Sequence, residues 1–218
     1  MTPTKRIVIR NEEAHDQPIV EAITRQAFYN IYIPGCVEHY LVHIMRQHED
    51  FVPELALVLE LDGQVIGNIM YTKARLVDEA GIEKTILTFG PVSILPEYQR
   101  QGYGRQLMEY SFARALELGY DVIVIFGDPD NYVGRGFKSC LKYHVSLADG
   151  SYPAAMLVKE LVPGALDGHK WHYYDSPIMQ IDEACAQRYD DSLEKLEKKY
   201  QPSQEAFYIH SHAFLKED

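Results

Sequence analysis

The sequence predicts an α/β (α+β) fold: a mixed central sheet of about seven strands flanked by helices, followed by a C-terminal helical extension. Three observations predict it. Apolar runs of period two alternate with stretches of helical period. An antiparallel meander is marked by the turn pair Asp62-Gly63 and by Gly81. A strand ending at Ile94 passes through a basic, glycine-containing loop into a helix, and then into the continuous apolar run Val122-Ile123-Val124-Ile125-Phe126. A strand, a helix and a second fully buried strand require a right-handed crossover and a parallel pair.

Each element follows from local pattern. Ile7-Val8-Ile9 reads as a short first strand, and Asn11 to Asp16 supply turn and capping residues. Ile19, Val20, Ile23, Ala27 and Phe28 recur at helical spacing; Pro34-Gly35 interrupts, and Val37, Leu41, Ile44 and Met45 mark a second helix. Leu55 to Leu61, Gln64 to Leu76 and Thr85 to Ile94 form the meander. Leu107, Met108, Phe112, Ala115 and Leu116 line one face of a helix that stops at Gly119. Gly127 to Gly136 leaves room for little more than one helical turn, and Phe137 to Val145 and Ala154 to Leu161 read as two final strands.

Residues 1–162 are therefore read as one domain and 163–218 as an extension. Pro163 to Pro177 reads as a loop. Ile181, Cys185, Tyr189, Leu193, Leu196 and Tyr200 predict a helix with one apolar stripe, acidic at its start (Asp182, Glu183) and basic at its end (Lys195, Lys198, Lys199), as the helix dipole favours. Such a stripe docks on its own domain or on a second copy in a homodimer, and terminal helices are commonly tied down on their own domain.

Composition narrows the function classes. Across 218 residues, a net charge of −11, with 21 basic against 32 acidic side chains, argues against nucleic acid as a partner. The acidity is compatible with a cationic, amine-bearing substrate, and equally with solubility alone. No apolar run reaches the roughly 18 residues of a membrane span, and Met1 to Arg6 lack an apolar leader core. The chain is read as cytoplasmic, with no membrane association. Cys36, Cys140 and Cys185 are odd in number and widely spaced, which predicts reduced thiols.

The chemistry concentrates between Val92 and Arg105. A helix start offers backbone N–H groups without intrahelical partners and partial positive charge, so a diphosphate can bind several at once. Gly102 and Gly104 let a ligand approach the bare backbone, and Arg100 and Arg105 add charge. The dinucleotide fingerprint is excluded by Leu107 at its third glycine, and the Walker loop by the absence of Gly-Lys-Ser/Thr. The remaining pattern, Gln99-x-x-Gly102-x-Gly104 after a strand and Leu95-Pro96, resembles the acyl-CoA loop of the GNAT (Gcn5-related) N-acetyltransferase superfamily. The element order matches that superfamily over about the first 160 residues. The stretches Gly127 to Tyr132, Ala155 to Leu161 and Ser176 to Glu183 resemble a YhbS-like subgroup of bacterial N-acetyltransferases, extending the likeness to about Asp191.

The resemblance implies an acyltransferase that uses acetyl-CoA as cosubstrate, without a metal, and passes the acetyl group to a primary amine. It implies that Val92, Ser93, Ile94, Gln99, Arg100, Gln101, Gly102, Tyr103, Gly104, Arg105 and Phe126 contact the cofactor. The backbone N–H of Val92 would meet the thioester carbonyl, and the backbone of Ile94 the pantetheine. The fourth and fifth strands would splay apart around that arm, and Pro91, which cannot donate to a ladder, sits where the family distorts its strand. Tyr132, four residues before Gly136-Phe137, would protonate the departing thiolate; a phenol with an ordinary pKa of about 10 keeps its proton at neutral pH.

Three positions depart from the family pattern. An asparagine common seven residues before the tyrosine is Ile125, a carboxylate found on the fourth strand of some relatives is Thr88, and Asp128-Pro129-Asp130 replaces much of a helix. Asp128, Asp130 and Glu97 are the carboxylates near the loop, and none is assigned the base. A non-catalytic acyl-CoA-binding or regulatory module thus stays open beside the enzyme. The first two helices and Trp171-His172-Tyr173-Tyr174 are the candidates for the acceptor pocket. Position 40, a tyrosine, rules out the zinc-protease motif around His39 and His43, and His169, His172, His210 and His212 lack metal-ligand spacing. No G-x-S-x-G elbow surrounds Ser93.

Overall fold

The computed structural model describes residues 6–217; residues 1–5, read above for a leader, lie outside them. β1 (Ile7–Asn11) leads into α1 (Gln17–Phe28) and α2 (Glu38–Met45). β2 (Leu57–Leu61), β3 (Gln64–Asp78) and β4 (Glu83–Ile94) form the meander. The β2–β3 turn places Asp62 at φ 51° and Gly63 at φ 86°, the left-handed pair that a two-residue hairpin with native twist requires. α3 (Tyr103–Glu117) crosses to β5 (Val122–Phe126), and the single turn α4 (Pro129–Tyr132) follows.

The continuous sheet runs β1-β2-β3-β4-β5-β9-β6, with β9 at Met156–Glu160 and β6 at Lys138–Ser139. β10 (Trp171–Tyr174) pairs antiparallel with the end of β3, from Arg75 to Asp78, and β7 (Val145–Ser146) pairs with β10. One core gathers Val20, Ile23, Leu41, Met45, Leu87, Phe89, Leu107, Phe112, Ile123 and Ile125. A second, on the other face of the sheet's later half, gathers Ile86, Val122, Val124, Trp171 and Tyr173. The alternation of Ile86 and Leu87, and of Val122 and Ile123, between these cores is the period of two that covers β4 and β5 on both faces.

Three expectations are corrected here. Phe137 to Val145 is not one strand: β6 stops at Ser139, a 3-10 turn spans Cys140–Tyr143, and His144 adopts φ 52° before β7. Cys140 and Phe137 are both buried, so this segment folds back to bury them rather than running on. The loop assigned to 163–177 contains β10, whose alternation of buried Trp171 and Tyr173 with half-buried His172 and Tyr174 is a strand pattern hidden by its aromatic composition.

The helix expected over 181–200 is also broken. α5 spans only Glu183–Asp191, and α6 (Pro202–Ser211) begins after an irregular stretch. Leu193, Leu196 and Tyr200 are exposed, so the last half of the stripe docks nowhere among the described residues. Side chains from the α1–α2 connection bond the backbone of this stretch instead. Tyr29 donates to the carbonyl of Leu196, and Asn30 binds the carbonyl of Glu197 and the N–H of Lys199. Gln201, before Pro202, is extended, as a residue preceding proline prefers.

What does dock is α5. Arg25 Nε lies 2.8 Å from Asp190 Oδ1, His39 Nε2 lies 3.3 Å from the same oxygen, and Tyr189 donates to Glu21 at 2.6 Å while its ring stacks on His43. α6 continues along the α1–α2 connection, with Gln204 donating to the carbonyl of Asn30 at 3.0 Å and Phe207 4.7 Å from Tyr32, ring to ring. The short β11 (Phe214–Leu215) then pairs with β8 (Tyr152–Pro153).

Candidate active site

β4 and β5 share a single register pair, Leu87 with Ile123. Beyond it β4 keeps its ladder with β3, and β5 keeps a five-residue ladder with β9. The two strands therefore diverge toward their C-terminal ends, leaving facing edges whose backbone groups lack a strand partner across the gap. The divergence has a local device. In the β3–β4 ladder Tyr71 faces Phe89 and Ile69 faces Val92, so Gly90 and Pro91 together oppose Met70. This is a bulge, which bends the strand and increases its twist.

The loop after β4 is held by its own side chains. The amide of Gln99 donates to the carbonyl of Ile94 at 2.9 Å, and that of Gln101 donates to the carbonyl of Glu97 at 2.9 Å. Gly102 heads α3 at φ 89°, a left-handed conformation that favours glycine whatever the space around it. Gly104 is different: a Cβ there would make only an ordinary contact, 3.5 Å from Ile94 Cγ1. No side chain caps the start of α3, and no acidic residue occupies its first turn. Nothing within the helix opposes an anion there.

The expected cofactor residues divide by where their side chains go. Gly102, Gly104, Arg100, Gln101 and Arg105 lie on the exposed or half-exposed loop and helix start, with Arg105 also paired to Glu109 at 2.7 Å. Val92 is half-buried at the gap, and Phe126 stands exposed at the open end of β5. Ser93 and Tyr103 turn inward. The Ser93 hydroxyl is buried and donates to Thr24 of α1 at 3.2 Å, and Tyr103 is a core residue against Tyr98. Only their backbones can face a ligand in the gap.

Tyr132 is placed at the gap by α4. Its ring lies 5.8 Å from Phe89 and 5.8 Å from Phe137, and a Cβ on Gly127 would overlap it. Gly127, at the start of that loop, is what admits the ring. Burial pushes the Tyr132 phenol above its ordinary value, with added repulsion from Tyr32 and Asp128, so it holds its proton at neutral pH. Asp128 itself caps α4, accepting from the N–H of Asp130 at 3.0 Å. Thr88 and Ile125, the two positions that depart from the family pattern, are both buried.

Two other groupings have the look of chemistry. Cys36 Sγ lies 3.2 Å from His39 Nδ1, with Asp190 beyond, but burial pushes the thiol up to about 12 and the imidazole down to about 4. The thiol is therefore protonated and unreactive. Asp78, Glu79 and His169 converge at the β3–β4 turn, although Asp78 Oδ1 already accepts from the N–H groups of Ala80 and Ile82. Among the described residues the four histidines at 169, 172, 210 and 212 do not gather. His172 bonds Ser146 and His210 approaches Asp128, away from His169.

The gap, its bulge and the uncapped helix start form the architecture that the GNAT resemblance predicts, and comparison with known proteins agrees. The acetyltransferase (GNAT) family model matches residues 25–137. The uncharacterized N-acetyltransferase YhbS of Escherichia coli K12 is 31% identical over 163 residues, covering 74% of this chain and 92% of YhbS. The crystal structure of YhbS from Escherichia coli in complex with CoA superposes with a TM-score of 0.71 at 26% identity, covering 83% of this chain and 96% of that one. A GNAT acetyltransferase from Brucella melitensis in complex with acetyl-CoA gives a TM-score of 0.63 at 25% identity, covering 80% and 99%. Among the described residues no helix is long and apolar enough to cross a membrane. The chain belongs to the GNAT acetyltransferase family.

Proposed function

We propose that the protein transfers an acetyl group from acetyl-CoA to a primary amine. The observation that carries this reading is the continuity of the β4–β5 gap with the uncapped start of α3. One end can align a pantetheine arm along unpaired strand edges, while the other receives the diphosphate. The complexes of the two relatives with CoA and acetyl-CoA support that use of the gap. In this reading the N–H groups around Gly102 and Gly104 hold the diphosphate with Arg100 and Arg105, and Gln99 stiffens the loop. Val92 N–H polarises the thioester carbonyl, a pre-aimed donor at the atom where negative charge develops. Ile94 engages pantetheine through its backbone, and Phe126 covers the arm.

Tyr132 gives its proton to sulfur as the C–S bond breaks. The test is thiol release from acetyl-CoA in the presence of polyamines, amino sugars, amino acids and peptides. Amine-dependent release is expected, and Tyr132→Phe should lower turnover about 100-fold with acetyl-CoA affinity unchanged. Binding of acetyl-CoA with no amine-dependent thiol from the wild type would instead favour a non-catalytic acyl-CoA-binding module.

A further inference from the structure

Acetyl transfer needs a group that takes the proton of the attacking ammonium, and β4 carries no carboxylate near the gap: the strand position in question is Thr88, buried between Leu87 and Phe89. Leu87 and Phe89 point into the first core with Tyr132 packed beside them, so Thr88 points to the other face, the side of Ile86 and the second core. β10 brings Tyr173 to that same face. Its ring sits 6.0 Å from that of Phe126, at the open end of β5.

Tyr173 is 3% exposed, and its hydroxyl oxygen makes no hydrogen bond of normal geometry among the described residues. The polar groups within its reach are the Thr88 hydroxyl and the Asp175 carboxylate. A buried hydroxyl in that condition is open to a further polar partner. Asp175 is half-buried, with Oδ1 accepting from the N–H of Ser176 at 2.8 Å. Ser176 turns away, donating its hydroxyl to Asp50, which lies 3.6 Å from His48. Among the described residues no lysine, arginine or histidine pairs with Asp175. Two residues on, the 3-10 turn Pro177–Met179 places Met179 Cε 3.5 Å from where a Cβ of Gly90 would stand. The segment carrying Asp175 thus runs beside the bulge where β4 leaves β5.

We propose that Asp175, oriented by Tyr173 beside Thr88, is the proton acceptor for the attacking amine, working from the face of the β4–β5 gap opposite Tyr132, and that the acceptor enters as an ammonium ion. This rests on the acetyl-transfer reading above. The ammonium gives one proton to Asp175 and the neutral amine attacks the thioester carbonyl. The C–N bond forms and the C–S bond breaks. Sulfur takes the Tyr132 proton, the second nitrogen proton returns to the Tyr132 phenolate, and Asp175 releases its proton to solvent. Burial raises the Asp175 carboxyl above its ordinary value, against the pull of Tyr173 and the Ser176 N–H, which makes it a better proton acceptor than an exposed aspartate. Tyr173 is a positioning residue.

The experiment compares wild type, Asp175→Asn, Asp175→Glu and Tyr173→Phe by thiol release at saturating acetyl-CoA, using the best amine of the panel above, across pH. Asp175→Asn should lower kcat about 100-fold at neutral pH and move the rising limb of the pH profile to the ionisation of the free amine. Acetyl-CoA affinity and melting temperature should stay unchanged. Asp175→Glu should recover part of the rate, and Tyr173→Phe should shift the rising limb without lowering the melting temperature. Carbon NMR of carboxyl-labelled aspartate in the acetyl-CoA complex reads the same group without turnover; Asp175 should titrate above the usual carboxylate range and move in Tyr173→Phe. An active wild type with an unaltered Asp175→Asn rate and profile overturns the assignment alone, as does an ordinary Asp175 titration unmoved by Tyr173→Phe. A wild type with no amine-dependent thiol release overturns the transfer reading and the assignment together.

Discussion

The proposed donor side of the gap and its proposed acceptor side are built in opposite ways. The donor side is one stretch of chain, from Val92 to Arg105, in which strand end, loop and helix start follow one another and are braced by near neighbours such as Gln99 on Ile94. The side we propose for the acceptor draws on distant pieces: the α1–α2 pair with α5 docked on it, Tyr173 on β10, and Asp175 just after that strand. In the proposed reading backbone N–H groups serve the first and individual side chains the second. A helix start can bind a diphosphate through its backbone, provided no acidic side chain stands in its first turn. A site built from side chains depends on each docking contact that brings them in.

The comparison breaks most sharply at the α5 clasp. Asp190→Ala leaves the guanidinium of Arg25 buried without its partner, and should cost about 3–5 kcal/mol of unfolding stability. Acetyl-CoA affinity of the folded protein should persist while amine-dependent turnover falls. Chemical denaturation and calorimetric binding separate the two. An equal loss of donor binding would show that the two sides are not independent.

Gly104→Glu is the converse test. The protein itself leaves ordinary room for a Cβ there, and a carboxylate in the first turn favours the helix, so stability should hold. Acetyl-CoA affinity should fall about 100-fold, because the carboxylate competes with the diphosphate. Retained affinity would remove the diphosphate from this loop.

A smaller effect sharpens the description of the clasp through pH. His39 is buried beside Asp190 and Cys36, and burial pushes its imidazole down to about 4, below its unfolded value. Between those two values the unfolded chain binds a proton that the native state does not. Stability should therefore decline as pH falls through that window, by at most about 1.4 kcal/mol per pH unit. Comparing urea midpoints at about pH 7 and about pH 5, His39→Gln should show a flatter dependence than the wild type.

The legibility of the sequence follows the same division. Asp62-Gly63, Gly119 and the run Val122–Phe126 declare their structures through turn chemistry and apolar pattern, which act between near neighbours. The stripe from Ile181 to Tyr200 misled, because helical spacing says nothing about whether a partner surface exists. Asn30 and Tyr29, some 170 positions earlier, bind the backbone that a helix would have used. β10 was hidden for a related reason: four residues are too few to show a period, and their strand state comes from the free edge of β3. Tyr132 is singled out by its spacing to Gly136-Phe137, and its role is a proposal. Gly127, which gives its ring room, lies in a stretch that carries the subgroup resemblance, but nothing local shows that its missing Cβ is what admits the ring.

The sequence by itself determined the sheet with its crossover, the glycine-containing loop at the start of α3, and the family, because each depends on residues close together in the chain. Tertiary structure alone decided that Ser93 and Tyr103 turn inward, that α5 docks through Arg25 and Asp190, and that Tyr173 comes within reach of Thr88 on one strand and Asp175 beyond its own. Those outcomes depend on burial and on pairings across more than a hundred residues of chain, where the free energy of a side chain is set by what folding brings beside it.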